Sequence, residues 1–302
     1  MDGLFAWPDI EEDRKWWYEG GATNSGDPNH SAVWEKPRGF SMFWFFGMAS
    51  GGGGGSGAQA STGHGGPGGG SGGAMSLLLP SLLVPEKLFI KTGFGGIGAT
   101  PGSNNAGDGD HLYVDIHPRI SSSACRFMRC TGGIGASYGG GANSGGSGGA
   151  AGTNGSTYYP YLMGMYQTIA GVAGRTGLQD SNGSSTLTWA NGQVNMGGLA
   201  GAGTSNTTDY KGEGFTGPDP GFPPGEIAGI GGAAAGGTGD PGWFILAPFM
   251  SAPGCGGGSL HNGTGGDGGN GGRGSGGGGS GQGTTAGHGG RGGDGFFCVV
   301  GI

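Results

Sequence analysis

The sequence predicts an all-β fold with little helix, in which short β-strands are joined to a packed bundle of polyglycine II helices. Three observations lead to this prediction. Glycine accounts for 86 of the 302 residues, apolar residues occur in short bursts that run into glycine tracts, and the tracts have a period of three. The evidence for helix is limited to YYPYLMGMYQT at residues 158–168, which Pro160 and Gly164 interrupt.

Four apolar bursts have the length and composition of strands, since they are rich in aromatic, β-branched, Leu and Met residues and are bounded by Gly or Pro. They are WEKPRGFSMFWFFGMAS at 34–50, KLFIKTGFGGIGA at 87–99, ACRFMRCTGGIGA at 124–136 and WFILAPFMSAPGC at 243–255. The chain also ends in an apolar stretch, residues 296–300, directly after a long glycine tract. We expect this last strand to pair near residues 40–48 and so to tie the two ends of the chain together.

The glycine tracts show a GGX phase in short stretches, for example GGDGGNGGR at 265–273, GGRGGD at 289–294 and GGSGGA at 145–150. A polyglycine II helix has three residues per turn, so packed helices would pair their backbones and point every third side chain outward. Collagen needs Gly-X-Y throughout with abundant proline, and the chain has 16 prolines. A flexible linker is the alternative, but it gives no reason for the phase.

Two pairs of similar segments indicate a degenerate internal repeat. FGGIGAT at 94–100 and TGGIGAS at 131–137 share GGIGA at a separation of 37 residues. GHGGPGG at 63–69 and GHGGRGG at 287–293 form the second pair. Glycine-rich segments match one another easily by chance. The evidence for the repeat therefore rests mainly on the matching positions of Ile97 and Ile134, and of His64 and His288.

Composition and charge exclude several classes of protein. The net charge of −7 and the lack of a basic cluster argue against a nucleic-acid partner. The acidic N-terminus has no signal-peptide pattern, and the apolar runs are too short to span a bilayer, so we expect no membrane insertion and assembly in a cytoplasm. The four cysteines lack metal-site spacing, and we interpret them as reduced, packed thiols: Cys125, Cys130, Cys255 and Cys298.

Catalytic and cofactor motifs are missing, which predicts a protein that is not an enzyme and binds no cofactor. GxGxxG occurs by chance in so glycine-rich a chain, and no P-loop is present. The best local group of metal-type ligands is in GDGDHLYVDIH, but a polar hairpin edge explains it more simply: Asp108, Asp110, His111, Asp115 and His117. His64 and His288 could meet if their tracts pack together, although outward period-three positions also account for both.

The chain divides into an acidic, aromatic N-terminal arm at 1–33 and a glycine-rich domain at 34–302. Residues 1–20 hold six acidic and two basic side chains beside the aromatic residues Trp7, Trp16, Trp17 and Tyr18. Aromatic residues are favoured interface anchors, so these four are candidates for docking on a partner. The alternative is that Trp16 and Trp17 cover the chain's own β layer, and the sequence does not decide between the two.

Several of these segments resemble the glycine-rich virion proteins of tailed bacteriophages. Trp34, Lys36, Pro37 and Gly39 match a Trp–x–Lys–Pro–x–Gly strand that runs into polyglycine. Residues 83–90 match a Leu/Pro-rich segment with the following strand, and residues 292–300 match a terminal GGxGGDG with an apolar strand. The middle of the chain, a loop-rich insert at about 158–249, departs from the pattern.

The resemblance implies a structural component of a virion, either a tail-fibre or adhesin protein or a capsid decoration, present in several copies or as a homo-oligomer. Its partners would be other virion proteins and a glycan or protein of the host surface. In an adhesin the insert would supply the receptor-facing loop, with candidates Tyr158, Tyr159, Tyr161, Trp189, Tyr210 and Trp243. The other reading is a stand-alone glycine-helix module that binds ice or a glycan, although the mixed third positions do not match the regular Thr or Ala face of ice binders.

Overall fold

A computed structural model describes residues 14–20, 32–102, 105–118, 126–137, 149, 152, 166–183, 194–204, 207–216, 228–246 and 249–302. Within these ranges the regular elements are fifteen strands and a short 3-10 turn at Ser81–Leu83. The predicted all-β fold class is therefore confirmed.

The largest sheet has five strands, and the first and last strands of the described chain lie side by side in it. Its order is β1 (Lys15–Glu19), β15 (Phe296–Gly301), β3 (Met42–Met48), β4 (Ala74–Pro80) and β8 (Tyr166–Ile169). A second sheet has the order β2 (Ala32–Glu35), β5 (Lys87–Lys91), β6 (Leu112–Asp115) and β7 (Arg126–Cys130). Three pairs complete the set: β9 (Phe215–Thr216) with β10 (Ala228–Gly229), β11 (Phe244–Leu246) with β12 (Phe249–Ser251), and β13 (Leu260–Thr264) with β14 (Gly283–Thr285).

The two larger sheets pack on each other over one hydrophobic core, and we call this unit the sandwich. Successive side chains of a strand face opposite sides, so alternate residues of each strand point into the core. Trp34 of β2 lies edge-on to Phe43 and Phe45 of β3, with ring centroids 5.3 and 5.9 Å apart. Phe127 of β7 packs against Phe45 at 5.2 Å. All four side chains are buried.

The closing strand pairs where the sequence predicts. β15 runs antiparallel to β3, with Phe296 opposite Met48 and Val300 opposite Trp44. On its other side β15 pairs with β1. The last apolar stretch of the chain is thus a central strand of the larger sheet, and the prediction that it joins the two ends of the chain is confirmed.

Most sandwich strands continue directly into extended, mostly glycine tracts that leave the sandwich on the same side. We label the tracts T1 (49–58), T2 (63–73), T3 (92–99), T4 (105–111), T5 (131–137), T6 (170–180), T7 (194–204), T8 (252–259), T9 (265–274), T10 (275–283) and T11 (286–295). Together they form a bundle. T1 follows β3, T2 precedes β4, T3 follows β5, T5 follows β7 and T11 precedes β15.

Backbone hydrogen bonds between tracts hold the bundle together, and in T1 they repeat every third residue. The T1 residues 49, 52, 55 and 58 donate to T2 residues 73, 70, 67 and 64, at 2.7 to 3.0 Å. Residues 50 and 53 donate to T4, and residues 51 and 54 donate to T11. The T1 carbonyls accept from T3, T5 and T10 with the same spacing. T1 therefore bonds to six neighbouring tracts.

The six neighbours of T1 also bond to one another in the closed order T2, T5, T4, T3, T11 and T10. T10 is surrounded in the same way, by T1, T2, T7, T8, T9 and T11. These interior tracts are almost pure Gly, Ser and Ala, and their glycines are buried. A methyl group added at Gly54 would lie 2.0 Å from the carbonyl oxygen of Gly278, which leaves no room for a side chain.

The edge tracts carry the GGX phase, and their third residues face outward as predicted. In T9, Asp267 and Asn270 are exposed, and in T11, His288 and Arg291 are exposed, while most of the glycines of the two tracts are buried. His64 lies near the outer end of T2 and is half-buried. The third predicted GGX stretch, 145–150, lies outside the described residues except for position 149.

The GGIGA repeat corresponds to two tracts with equivalent positions in the bundle. In T3, Gly96 and Ala99 donate to carbonyls of T1, and in T5, Gly133 and Ala136 donate to the carbonyls one residue earlier in T1. The isoleucine in each copy, Ile97 and Ile134, points away from the bundle and is 75% and 49% exposed. The two copies therefore perform the same packing role on opposite sides of T4.

Strands and tracts of the structure cross both predicted divisions of the chain. Residues 15–19 of the predicted arm form β1 of the larger sheet, so they belong to the sandwich. The predicted insert at 158–249 includes β8 and two tracts of the bundle, T6 and T7. T6 was missed because an edge tract needs only one inward glycine per turn, and its sequence AGVAGRTGLQ keeps glycine at 171, 174 and 177.

We expect Gly54→Ala to destabilise the protein by about 1–3 kcal/mol or more, because the new methyl group would overlap backbone atoms that a packed interior cannot move. The matched control is Ile97→Ala, which alters an exposed side chain in a neighbouring tract and should change the free energy of unfolding by less than about 0.5 kcal/mol. Thermal unfolding followed by circular dichroism measures both. Equal melting temperatures for the two variants would contradict the close packing of T1.

Candidate functional site

Polar side chains on the bundle edges accept hydrogen bonds from backbone N–H groups of neighbouring tracts and loops. A tract at the edge lacks some of its six neighbours, so part of its backbone needs another partner. Asp and Asn oxygens supply this partner at 2.7 to 3.1 Å. The pairs are Gly135 N to Asp108, Phe94 N to Asp110, Lys211 N to Asn182, His261 N to Asp209, Ile230 N to Asp240, His288 N to Asp267, Arg291 N to Asn270 and Gly95 N to Asp294.

The group of metal-type ligands found in the sequence takes part in this edge bonding. Asp108 and Asp110 accept from T5 and T3, and the His111 Nδ1 accepts from Gly132 N at 2.9 Å. Asp115 forms a buried ion pair with Arg126, with Nε and Oδ1 3.2 Å apart. Among the residues that the structure describes, no three His, Cys, Asp or Glu side chains could hold a metal ion together.

The loops at the end of the bundle remote from the sandwich gather in one place, which we call the distal tip. A tract that leaves the sandwich pairs antiparallel with a tract that returns to it, so the turns that join outgoing to returning tracts lie at this end. The distal tip comprises residues 59–62, 100–102, 178–183, 204, 207–210, 233–236, 259–264 and 283–285. Its exposed side chains are mostly polar: Gln59, Ser61, Thr100, Asp180, Ser181, Asn182, Thr207, Thr208, Asn262, Thr264, Thr284 and Thr285.

Hydrogen bonds between loops fix the shape of the distal tip. His261 N donates to Asp209 Oδ1 at 2.7 Å, and His261 Nδ1 lies 2.7 Å from the carbonyl oxygen of Ser61. Since a carbonyl only accepts, Nδ1 carries a proton here. The Thr284 hydroxyl donates to the carbonyl of Gly263 at 3.0 Å. Four separate segments are thereby connected, so the surface they present is preorganised.

The structure separates the predicted receptor-facing aromatics. Tyr210 lies at the distal tip, where its N–H donates to Ser259 Oγ at 2.8 Å. Trp243 lies at the other end of T8, seven residues of extended chain and on the order of 20 Å away. It packs on Phe215, with ring centroids 6.1 Å apart, beside a small buried cluster. Tyr158, Tyr159, Tyr161 and Trp189 lie outside the described residues.

Three of the predicted docking aromatics pack on the chain's own sandwich, which was the alternative reading. Trp16 lies 6.1 Å from Trp34, Trp17 lies 5.3 Å from Phe296, and Tyr18 also packs on the closing strand. All three are half-buried. Burial raises the pKa of Tyr18 to about 12. Trp7 lies outside the described residues.

The cysteines agree with the predicted role of packed thiols where the structure describes them. Cys130, Cys255 and Cys298 are free and buried. Burial raises the pKa of each thiol above its ordinary value, and Cys255 reaches about 12. A thiol with so high a pKa carries almost no nucleophilic thiolate at neutral pH. Cys125 lies outside the described residues.

A cleft of about 300 Å³ lies where T9 and T11 meet the sandwich edge. Arg273 lies in its wall over the rings of Phe244 and Phe296 and pairs with Glu19 at 2.6 Å. Arg291 pairs with Asp294 in the same wall. Because each guanidinium already has a carboxylate, the cleft presents balanced charge, and its contacts join the sandwich to the bundle.

No protein-family model matches the chain, and no curated protein matches it in sequence. In the part of the chain that the structure describes, no helix has the length and apolar character needed to cross a membrane. The distal tip, positioned by the bundle, is therefore identified from geometry alone as the candidate site.

The edge bonds can be tested by exchanging two acceptors. The double variant Asp267→Ala/Asn270→Ala removes the acceptors of His288 N and Arg291 N and should lower the free energy of unfolding by about 1–3 kcal/mol. The control Asp267→Asn/Asn270→Asp keeps both oxygens and the composition, and should unfold like the wild type. Thermal unfolding and amide exchange at residues 288 and 291 are the measurements, and unchanged exchange in the alanine variant would contradict the role.

Acid should weaken the protein through His111. Burial, followed by the charge of Arg129, lowers the pKa of His111 below its ordinary 6.5. The unfolded chain then binds more protons as the pH falls below about 6.5, so stability present above that value is lost toward the lower pKa of the folded state. In His111→Asn the acceptor persists without a titrating group, and the slope of melting temperature against pH between 7 and 5 should decrease. An unchanged slope would show that His111 is not the source of the loss of stability in acid.

Proposed function

We propose that this protein is a non-enzymatic structural component of a tailed-bacteriophage particle, of the tail-fibre, adhesin or capsid-decoration type. In this proposal the sandwich attaches to other virion proteins, and the distal tip contacts a glycan or protein of the host surface. The proposal would place the protein in the virion after assembly in the host cytoplasm. The resemblance of its strand–polyglycine segments to glycine-rich virion proteins supports this assignment.

We further propose that the tracts are polyglycine II helices. The observation that supports this is the threefold rotation of the T1 bonds, in which three successive N–H groups point to three different neighbours. A helix of three residues per turn produces this pattern, whereas a pleated strand alternates between two sides. A slab of such helices would offer little extended, accessible chain to proteases, as suits a particle exposed outside cells.

The separation of the apolar sandwich from the polar distal tip is the observation that supports the functional proposal. The apolar core lies in the sandwich, and the distal tip is mostly Thr, Asn, Gln and Ser. Hydroxyl and amide groups both donate and accept hydrogen bonds, which suits a neutral glycan or a polar protein surface. The described carboxylates on the edges are engaged with backbone N–H groups, which supports a binding role over a catalytic one.

The second candidate is a stand-alone module that binds a glycan or ice. The preorganised tip suits a glycan equally well without any particle. The ice reading has less support, since the outward residues of T9 and T11 are Asp, Asn, Arg and His rather than one repeated residue. A thermal-hysteresis measurement distinguishes ice binding from the rest.

The first test is whether the protein is part of particles. Mass spectrometry of purified particles of the encoding phage should detect it, and the genes beside its own should encode capsid or tail proteins. Absence from the particles would overturn the virion proposal and leave the stand-alone module.

The second test locates the binding surface. The triple variant Gln59→Ala/Asn262→Ala/Thr285→Ala removes exposed polar groups at the distal tip. Binding of labelled protein to host cells should fall at least about tenfold, while the melting temperature stays unchanged. The matched control is Leu82→Ser, which alters a side chain 93% exposed at the opposite end of the sandwich. A loss of binding in the control, and not in the triple variant, would refute the role of the tip.

A further inference from the structure

The outer face of the four-stranded sheet carries a row of side chains in which an aromatic ring lies between two cations. Cross-strand register places Lys91 of β5 opposite Tyr113 of β6, and Tyr113 opposite Arg129 of β7. Their neighbours in sequence, Leu112 and Ile90, point to the core, so the row faces away from it. We call Lys91, Tyr113 and Arg129 the basic row.

Lys91 and Arg129 form no ion pair with another described residue. The nearby Asp115 is taken by Arg126, whose guanidinium lies 4.3 Å from the centre of the Tyr113 ring. Arg129 lies 5.7 Å from the same ring, and its Nε is buried with no hydrogen-bond partner in the described part of the chain. The carboxylates of Asp108 and Asp110 also lie near this face, around His111, so Lys91 and Arg129 are its cations without an ion-pair partner among the described residues.

A cleft of about 210 Å³ opens beside the row and is lined by Lys91, Asp110, His111 and Tyr113. Asp110 contributes one carboxylate, and that carboxylate accepts a hydrogen bond from Phe94 N at 3.1 Å. The ring of His111 lies edge-on to Tyr113 at 5.6 Å. Its Nδ1 is occupied as an acceptor, so the proton of the neutral ring is on Nε2. The cleft thus combines one cation, one carboxylate and two aromatic rings.

The complementary charge lies in the same sequence, before the first described residue. Residues 1–13 hold five acidic side chains and no Lys or Arg, together with the aromatic residues Phe5 and Trp7. An acidic and aromatic segment matches a face of cations around an aromatic ring, because ion pairs and ring contacts both form.

A second copy is a better source of this segment than the same chain. β1 belongs to the other sheet, and Trp16 packs over β2, which is three strands away from β7. The chain also enters β1 at Lys15, opposite Val300, at the end of the sandwich away from the bundle. Lys91 is the last residue of β5 before T3, so the basic row lies at the bundle end. The chain's own segment would have to cross an edge of the sandwich and run its length.

We propose that the acidic segment at 1–13 of one copy docks on the basic row of a second copy and links the copies electrostatically. This interface accounts for the aromatic residue Trp7, which the sandwich packing of Trp16 and Trp17 leaves without a role. It uses neither the distal tip nor the cleft at Arg273. It also does not depend on the proposed function, since any assembly of copies could use it.

The experiment is a mixing test with two complementary variants. One lacks residues 1–13 and retains the row, and the other, Lys91→Glu/Arg129→Glu, retains the segment and reverses the row. Analytical ultracentrifugation should show the wild type self-associating at 20 mM salt and dissociating at 500 mM salt. Each variant alone should associate at least about tenfold more weakly, and an equimolar mixture should form a one-to-one complex.

Two further measurements keep the result unambiguous. Near-ultraviolet circular dichroism checks that both variants are folded, and Lys91→Gln/Arg129→Gln replaces the charge reversal if it is not. A synthetic peptide of residues 1–13 should bind the truncated protein at low salt, read by the fluorescence of Trp7 against a peptide with all five acids amidated. Failure of the mixture to associate, or equal binding of the two peptides, would overturn the proposal. A wild type that stays monomeric at low salt would do the same.

Discussion

Backbone pairing between chains that lack Cβ atoms is the constraint on which the rest of this structure depends. In T1 every N–H and C=O group from residue 50 to residue 54 finds a partner in another tract. A methyl group at Gly52 or Gly54 would lie 2.2 or 2.0 Å from a carbonyl oxygen, so the spacing exists only for glycine. Glycine loses the most conformational entropy on ordering, about 1–2 kcal/mol per residue, and one tract cannot recover it. Hydrogen bonds to six neighbours together can offset this entropy loss, which explains why the tracts are many and short.

The sandwich supplies what the glycine tracts lack, namely a register. A tract of identical residues can slide along its neighbour without changing its contacts, so its alignment has to be set elsewhere. The pairing of β3 with β4 and β15 fixes where T1 starts relative to T2 and T11, because each strand runs directly into its tract. The aromatic contacts of Trp34 with Phe43 and Phe45 then hold the two sheets together. Because the strands set the register and the tracts supply the backbone pairing, an apolar burst precedes many of the tracts.

The sequence predicts this arrangement well where composition carries the signal. The all-β class, the outward third residues of T9 and T11 and the pairing of the closing strand all follow from local patterns. T6 and T7 escaped detection because an edge tract needs only one glycine per turn, as at Gly171 and Gly174, and side chains can occupy the rest. The distal tip could not be located either, since its residues come from many separate turns. The sequence also does not predict that Asp267 and the other edge Asp and Asn residues accept backbone hydrogen bonds, because that role depends on which tract lies at the edge of the bundle.

The same constraint decides where recognition can occur. An interior tract has room for almost nothing larger than Gly, Ser and Ala, and many edge side chains, such as Asp108 and Asn270, are committed to backbone N–H groups. Substitution there would alter stability before it altered specificity. At the distal tip some side chains, such as Asn182 and Asp209, are committed in the same way, whereas others, such as Gln59 and Asn262, are exposed and can change without the loss of such a bond. A glycine bundle therefore leaves its turns and the outer face of the second sheet as the surfaces whose side chains can change while the packed interior stays the same.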